Sequence, residues 1–112
     1  MRRKKPRPRR VLEKRRRIAI RRIKKLTRLV FSTYKEAIAN GDRELVEIAR
    51  EYGVLLRRIA HIHKVKVPEV VEMFTCPKCK NVVFPGANAE VVGRKIKCLI
   101  CGNERDHRLN AV

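Results

Sequence analysis

Four cysteines in two matching pairs decide the fold of the C-terminal part of this chain. The stretch reads Cys76-Pro77-Lys78-Cys79, then eighteen residues, then Cys98-Leu99-Ile100-Cys101, and it holds all four cysteines of the protein. Two thiolates three positions apart can hold one tetrahedral metal ion from one side, and a second pair completes the coordination sphere. The spacing predicts one structural Zn²⁺ ion, with iron as the alternative, bound by Cys76, Cys79, Cys98 and Cys101.

Such a site is closed, and the sequence offers no catalytic centre beside it. Four cysteine ligands fill the tetrahedral shell and leave no position for water, so the ion stabilises the fold and hydrolyses nothing. A redox-active pair would need a thioredoxin-like βαβ setting, which the pattern lacks. The three histidines have no Ser, Cys or carboxylate constellation around them. We therefore expect no catalytic residues, and an enzyme with a hidden site is the least favoured alternative.

The chain is strongly basic, and its charge is concentrated near the N-terminus. Its 112 residues include thirty Lys or Arg and eleven Asp or Glu, which gives a net charge of +19. Residues 1–28 hold sixteen of these bases and one acid. This excess predicts a polyanionic partner, either nucleic acid or an anionic membrane surface. The dense basic run favours nucleic acid, because such residues neutralise phosphates.

The first residues give expectations about order and location. Residues 1–10 form a basic tail that includes Pro6 and Pro8, and we expect it to be disordered in the free protein. The tail lacks the apolar segment of a secretory signal. Its basic residues would fit a nuclear localisation signal. Cysteines paired at ligand spacing favour a reducing compartment, so we expect a cytoplasmic protein. No apolar run approaches the roughly 18 residues of a membrane span.

Residues 11–67 are predicted to form an antiparallel helical hairpin. A line of apolar residues at helical spacing runs from Leu12 to Ala37, and Asn40-Gly41 is a good helix end. Asp42 can cap a second helix, over about residues 43–63. Its predicted apolar line, with Ala49 and Ala60 alongside, consists of Leu45, Ile48, Tyr52, Leu55, Leu56 and Ile59. Gly53 weakens this helix by about 1 kcal/mol relative to Ala.

The apolar stripe of the first helix is wider than a two-helix seam requires. Ile20, Phe31 and Ile38 form a flank that a lone hairpin leaves uncovered. Either the C-terminal ribbon or a partner protein covers this flank, and we assign these three residues as candidates for a protein-partner surface.

Residues 68–112 are predicted to form a zinc ribbon. A short helix over residues 69–73 precedes the first cysteine pair, and strand signals occur near residues 81–84, 90–92, 95–98 and 104–109. The predicted fold class is therefore small α+β. It combines an N-terminal antiparallel two-helix hairpin with a C-terminal zinc ribbon, in which four cysteine ligands hold short antiparallel strands together.

Basic residues in both parts are candidates for contact with RNA phosphates, where backbone and shape count for more than base edges. Few aromatic residues are available, which disfavours stacking of single-stranded bases. The RNA-binding candidates are Arg15, Arg16, Arg17, Arg21, Arg22, Lys24, Lys25, Arg57, Arg58, Lys64, Lys66, Lys78, Lys80, Arg94, Lys95, Lys97, Arg105 and Arg108.

Several motifs together resemble the ribonuclease P protein component 4 family of archaea, which is related to a eukaryotic nuclear ribonuclease P subunit. The resemblance covers roughly residues 11–109 and begins with the basic helical hairpin. It continues with Phe74-Thr75-Cys76-Pro77-Lys78-Cys79, then Phe84-Pro85-Gly86-Ala87-Asn88-Ala89, and Cys98-Leu99-Ile100-Cys101-Gly102-Asn103-Glu104-Arg105. The Pro-Gly-x-Asn segment is more specific than the cysteines, since many ribbons share the latter.

This resemblance implies a non-catalytic subunit of a ribonucleoprotein that removes the 5′ leader from precursor tRNA. In that family the RNA performs the chemistry with magnesium. The resemblance implies zinc on the four cysteines, contact with the specificity domain of ribonuclease P RNA, indirect contact with precursor tRNA, and docking of the hairpin to a small β-barrel subunit, component 1. The alternative is a zinc-ribbon transcription or ribosomal protein that binds nucleic acid.

Overall fold

The computed structural model describes residues 9–106, which form two long helices followed by a small sheet. The helices are α1 (Arg9–Asn40), α2 (Arg43–Ile62) and the short α3 (Glu69–Met73). The strands are β1 (Ala89–Val92), β2 (Lys95–Cys98) and β3 (Glu104–Asp106), and they pair antiparallel in that order. None of these helices is long and apolar enough to cross a membrane. The predicted small α+β fold is confirmed.

Parts of three predictions lie outside the described residues. These parts are residues 1–8 of the predicted tail, residues 107–112 of the predicted ribbon, and Arg108 among the RNA-binding candidates. Arg9 and Arg10, which we predicted to belong to the tail, lie in the first turn of α1.

The turn between α1 and α2 has the backbone geometry that its sequence predicts. Gly41 has a φ of +62°, the left-handed conformation that ends a helix. The N–H of Asp42 donates to the carbonyl of Ala37 at 3.0 Å. The Asp42 carboxylate accepts the N–H groups of Glu44 at 2.9 Å and Leu45 at 3.4 Å. These bonds satisfy N–H groups that have no partner within α2, so the helix begins here.

The helix α1 buries the predicted stripe from Ala19 onward and exposes Leu12, whereas α2 buries only part of its predicted apolar face. The buried residues of α1 are Ala19, Ile23, Leu26, Val30, Thr33, Tyr34 and Ala37. Those of α2 are Ala49, Gly53, Leu56 and Ala60. Ile48 and Leu55, which we predicted to face the hairpin seam, are 39% and 42% exposed. Small residues occupy the buried face of α2 because α1 and the ribbon both pack against it.

Gly53 marks a close approach of the ribbon to α2. A Cβ atom at this position would lie 2.9 Å from Cγ2 of Val82 and 3.0 Å from its Cβ. Val82 is fully buried and pairs with Thr75 in an isolated antiparallel bridge. The absence of a side chain at Gly53 therefore allows the segment after the first cysteine pair to pack on the helix.

Four aromatic rings connect the ribbon to the C-terminal half of α1. Phe31 meets Phe74 edge to face with a centroid distance of 5.1 Å, and Phe74 stacks on Phe84 at 5.3 Å. Tyr34 stacks on the other side of this cluster, 5.6 Å from Phe84. Pairs in such geometries contribute about 0.5–1.5 kcal/mol each beyond their buried area. The ribbon is thus anchored on α1 between residues 31 and 38, whereas residues 9–18 contain no buried residue.

Candidate metal centre and nucleic-acid interface

Two short loops present the four cysteines to one another. The first loop follows α3, and the N–H of Lys80 donates to the carbonyl of Cys76 at 2.9 Å. The second loop follows β2, and the N–H of Gly102 donates to the carbonyl of Cys98 at 2.8 Å in the same way. Gly102 has a φ of +79°, which explains the glycine directly after the second pair. The equivalent Lys80 adopts a φ of 63° without being glycine.

The four sulfur atoms have the separations expected of ligands around one ion. Sγ of Cys76 lies 3.5 Å from Sγ of Cys101, and Sγ of Cys79 lies 3.8 Å from Sγ of Cys98. All four sulfurs lie within 4.8 Å of one another. A tetrahedral Zn²⁺ ion with Zn–S bonds of about 2.3 Å places its sulfur ligands about 3.8 Å apart. The cluster is therefore able to hold a metal ion with a closed set of four cysteine ligands.

The local electrostatics show why a cation would stabilise this cluster. Burial opposes ionisation at Cys76, but hydrogen bonds from the backbone N–H groups of Cys79 and Lys78 and from neighbouring thiols lower its pKa to about 7. Burial raises the pKa of the Cys98 thiol to about 12, even though backbone N–H groups also point at its sulfur. Without a cation, the cluster with one ionised thiol is therefore more stable than the cluster with several. A divalent ion would compensate the repulsion among four thiolates.

Asn88 connects the cysteine loops to the helical hairpin. Its side-chain amide donates to the Tyr34 hydroxyl at 3.0 Å, and its Oδ1 accepts the N–H of Phe84 at 2.8 Å. The Tyr34 hydroxyl in turn donates to the carbonyl of Val82 at 2.6 Å. The carbonyl of Asn88 accepts the N–H of Leu99, within the second cysteine loop, at 3.1 Å. Sequence reasoning used this asparagine only as part of a family motif, whereas the structure gives it a positioning role.

Two of the predicted RNA-binding arginines make contacts within the protein. The Arg105 guanidinium donates to the carbonyl of Met73, at the end of α3. Arg57 of α2 forms an ion pair with Glu72 of α3, with an N–O distance of 3.4 Å. Both residues therefore hold α3 against its neighbours, a function that their sequence positions do not reveal.

The other described RNA-binding candidates are on the surface, and one of them, Lys97, is half-buried. Together they do not form one cluster, because seven lie on α1 and the rest are divided among α2, the segment before α3 and the ribbon. The exposed candidates are Arg15, Arg16, Arg17, Arg21, Arg22, Lys24, Lys25, Arg58, Lys64, Lys66, Lys78, Lys80, Arg94 and Lys95.

The ribbon covers part of the flank that we assigned to a partner protein. Phe31 is half-buried and packs against Phe74 and Phe84, at centroid distances of 5.1 and 6.1 Å. The ribbon therefore packs against Phe31, which is one of the two alternatives left open by the sequence, and the assignment of Phe31 to a partner surface stays a prediction. Ile20 is half-buried, and Ile38 remains 43% exposed beside the turn at Gly86.

An exposed apolar surface occurs instead on α2. Ile48, Leu55 and Ile62 are 39%, 42% and 63% exposed and lie seven residues apart. Seven residues are close to two helical turns, so the three side chains lie on one line along the helix. This line lies more than a quarter turn around the helix from the buried face of α2. We call these three residues the α2 apolar line.

Comparisons with known proteins give relatives of a single kind. No protein-family model matches this chain. Ribonuclease P protein component 4 of Methanopyrus kandleri is 36% identical over 94 residues, which cover 78% of this chain and 67% of that protein. The protein of the same name from Halobacterium salinarum is 39% identical over 57 residues, which cover 51% of this chain and 58% of that protein.

A solved structure resembles the fold as well as the sequence. It is a chain from a cryo-EM structure of archaeal ribonuclease P with mature tRNA. The superposition has a TM-score of 0.56 and a sequence identity of 30%, and it covers 79% of this chain and 73% of that chain.

Proposed function

Because this chain belongs to the ribonuclease P protein component 4 family, we propose that it is a non-catalytic, RNA-binding subunit of ribonuclease P. In this role it assists the RNA-catalysed removal of the 5′ leader from precursor tRNA. The observation that carries this proposal is the 36% identity to component 4 of Methanopyrus kandleri over 94 residues. The similar solved chain, which comes from archaeal ribonuclease P with mature tRNA, supports the same role.

The proposed mechanism is neutralisation of phosphates combined with stabilisation of an RNA fold. The partner is the specificity domain of ribonuclease P RNA, and precursor tRNA is contacted indirectly. Exposed Lys and Arg residues on α1, which carries twelve bases and two acids, support this mechanism. In this proposal the metal ion is Zn²⁺ and only stabilises the ribbon, since four cysteine ligands leave no open coordination position. The expected cellular location is the cytoplasm.

The proposed protein partner is the small β-barrel subunit of ribonuclease P, component 1. We assign its docking surface to the α2 apolar line, Ile48, Leu55 and Ile62, in place of Phe31. The three exposed apolar side chains lie on one line of the helix, so their apolar areas add up on one side of the molecule. Exposed apolar surfaces of this kind are typical of protein interfaces. The opposite side of the hairpin is occupied by the ribbon, which leaves this side available to a second protein.

Reconstitution of precursor tRNA cleavage tests the proposal. Ribonuclease P RNA and component 1 are assayed at limiting magnesium with and without the zinc-loaded chain, and a Cys76→Ser/Cys98→Ser variant is the control for the metal-dependent fold. We expect the zinc-loaded chain to restore leader removal and the variant to fail. Binding of the RNA without restored cleavage would instead favour a zinc-ribbon protein of transcription or the ribosome. Cleavage in the absence of the RNA would point to an enzyme.

A further inference from the structure

Positive charge is concentrated on one element of the fold. The helix α1 carries twelve Lys or Arg and two acids, a net charge of +10. In contrast, residues 68–106, which contain α3 and the ribbon, carry six bases and five acids. The helix α2 carries four bases and three acids. The electrostatic attraction of the described part of the chain for a polyanion therefore comes mainly from α1.

The register of the sheet places acidic residues beside two lysines of the ribbon. Lys97 pairs with Glu90 on one side and with Glu104 on the other. Lys95 pairs with Asp106. Side chains of directly paired residues project to the same face with Cβ atoms about 4.5–5.5 Å apart. A phosphate that approached either lysine would therefore also approach a carboxylate.

The helix α1 has less compensation on its outer face, where Glu13 is the one acid among the described residues that lies beside the bases. Six basic residues follow one another there at alternating intervals of four and three residues, and all are exposed. This spacing keeps them on one side of the helix, roughly opposite the stripe that begins at Ala19 and faces the core. We call them the α1 basic stripe: Arg10, Lys14, Arg17, Arg21, Lys24 and Arg28.

The length and the charge of this stripe suit a continuous nucleic-acid backbone. From Arg10 to Arg28 it extends about 27 Å along the helix axis, somewhat less than one turn of a duplex. Like charges three or four residues apart repel one another and destabilise a helix, and phosphates would remove this penalty. Among the described residues α1 takes part in one ion pair, between Arg9 and Glu13 at 3.2 Å, beside the stripe and not within it.

The aromatic residues argue against a single-stranded ligand. Phe31, Tyr34, Phe74 and Phe84 pack against one another, with Tyr34 buried and the three phenylalanines half-buried, and Tyr52 is also half-buried. No exposed aromatic ring lies among the described residues, so the described surface has no platform on which unpaired bases could stack. A straight row of cations without such platforms favours contact with the backbone of a double helix.

We propose that the α1 basic stripe lies along the sugar–phosphate backbone of a double-helical RNA segment, and that the ribbon contributes rigidity and not charge to this contact. The inference rests on the proposed RNA-binding function and makes it specific. It also extends the RNA contact to Arg10, Lys14 and Arg28, which sequence reasoning did not select.

The test compares two zinc-loaded double variants that remove equal charge from different surfaces. Arg17→Gln/Arg21→Gln neutralises two members of the stripe, and Lys95→Gln/Lys97→Gln neutralises two bases of the ribbon. Affinity for an RNA duplex of about two helical turns is measured across a salt series. Each lost phosphate contact lowers the slope of log affinity against log salt by about 0.9. The stripe variant should therefore lose about 1.8 in slope and about 30-fold in affinity at about 0.15 M salt, and the ribbon variant should lose much less.

A second comparison separates the stripe from the total charge of α1. Arg15→Gln/Arg22→Gln removes two exposed charges from the same helix but from positions more than a quarter turn away from the centre of the stripe. We expect a smaller loss of slope than for Arg17→Gln/Arg21→Gln. Glutamine and arginine have similar helix propensities, so helicity measured by circular dichroism should be unchanged in both variants.

The outcomes distinguish this inference from the proposed function. Equal losses in the stripe and ribbon variants, or in the two α1 variants, would overturn the inference and leave an RNA-binding subunit intact. If the protein bound a single strand of the same length more tightly than the duplex, the inference would also be overturned and the RNA-binding function would remain. Binding of the wild-type protein that does not respond to salt would contradict both the inference and the proposed mechanism of phosphate neutralisation.

Discussion

Replacement of Tyr34 by Phe should weaken the contact between the hairpin and the ribbon and leave the shape of the core unchanged. The Tyr34 side chain is fully buried, and its hydroxyl donates to the carbonyl of Val82 and accepts from the amide of Asn88. The variant loses one hydroxyl and leaves two buried polar groups without a partner. Each unsatisfied buried group costs about 1–3 kcal/mol, so we expect Tyr34→Phe to lower the free energy of unfolding by about 2–6 kcal/mol.

The assay is chemical denaturation of the zinc-loaded protein, with Tyr52→Phe as the matched control. Tyr52 is half-buried, and its hydroxyl makes no hydrogen bond to any other described residue. Its replacement should change the free energy of unfolding by less than about 0.5 kcal/mol. If Tyr34→Phe costs no more than Tyr52→Phe, the hydroxyl network does not stabilise the contact between hairpin and ribbon, and our account of Asn88 is wrong.

The same hydroxyl gives this prediction a dependence on pH. Burial raises the pKa of Tyr34 to about 12, against 10 for a free tyrosine. The unfolded chain therefore ionises first as the pH rises, so the contribution of Tyr34 is complete below pH 10 and is lost between pH 10 and 12. The stability difference between wild type and Tyr34→Phe should shrink by about 2–3 kcal/mol over this interval. A difference that stays constant would contradict the burial of an un-ionised hydroxyl.

Three further predictions concern packing, metal and partner. Gly53→Ala should destabilise the protein by about 1–2 kcal/mol, because a Cβ atom 2.9 Å from Val82 outweighs the gain in helix propensity; denaturation that shows a more stable variant would contradict this. Metal analysis should find one zinc ion per chain, and chelation should make all four thiols reactive toward an alkylating reagent, whereas visible absorption typical of iron–thiolate centres would favour iron. Leu55→Glu should weaken binding of component 1 at least about tenfold in calorimetry, while Val54→Glu, at a similarly exposed neighbouring position, should not; equal effects would move the docking surface elsewhere.

The metal cluster and the turn between α1 and α2 were accessible from the sequence because they depend on local spacing, whereas the strand predicted near residues 81–84 forms only an isolated bridge at Val82. Two residues between cysteines set the geometry of each loop, and the four sulfurs indeed lie within 4.8 Å of one another. The end of α1 and the start of α2 follow from Gly41 and Asp42, whose conformational and capping preferences act within a few residues. Periodicity was also sufficient for the buried stripe of α1, since it is apolar along most of its length.

Periodicity was only partly sufficient for α2, because the apolar residues of that helix extend beyond its buried face. Leu56 and Ala49, predicted on or beside the apolar line, are buried together with Gly53, whereas Ile48 and Leu55 of the same line are exposed. The choice depends on how closely α1 and the ribbon approach, which small residues permit and large ones prevent. The same tertiary approach packs the ribbon against Phe31.

By itself, the sequence determined what acts over short distances: the four metal ligands, the helices with their caps, and the excess of charge near the N-terminus. Only the tertiary structure decided which surfaces meet. Asn88 reaches Tyr34, fifty-four residues away, and the sheet register sets Glu90 and Glu104 beside Lys97. Such pairings depend on the positions of whole elements in space, which no pattern of neighbouring residues encodes. The Asn88–Tyr34 hydrogen bond connects the hairpin to the ribbon. The acids beside Lys97 leave α1 as the basic surface of the molecule.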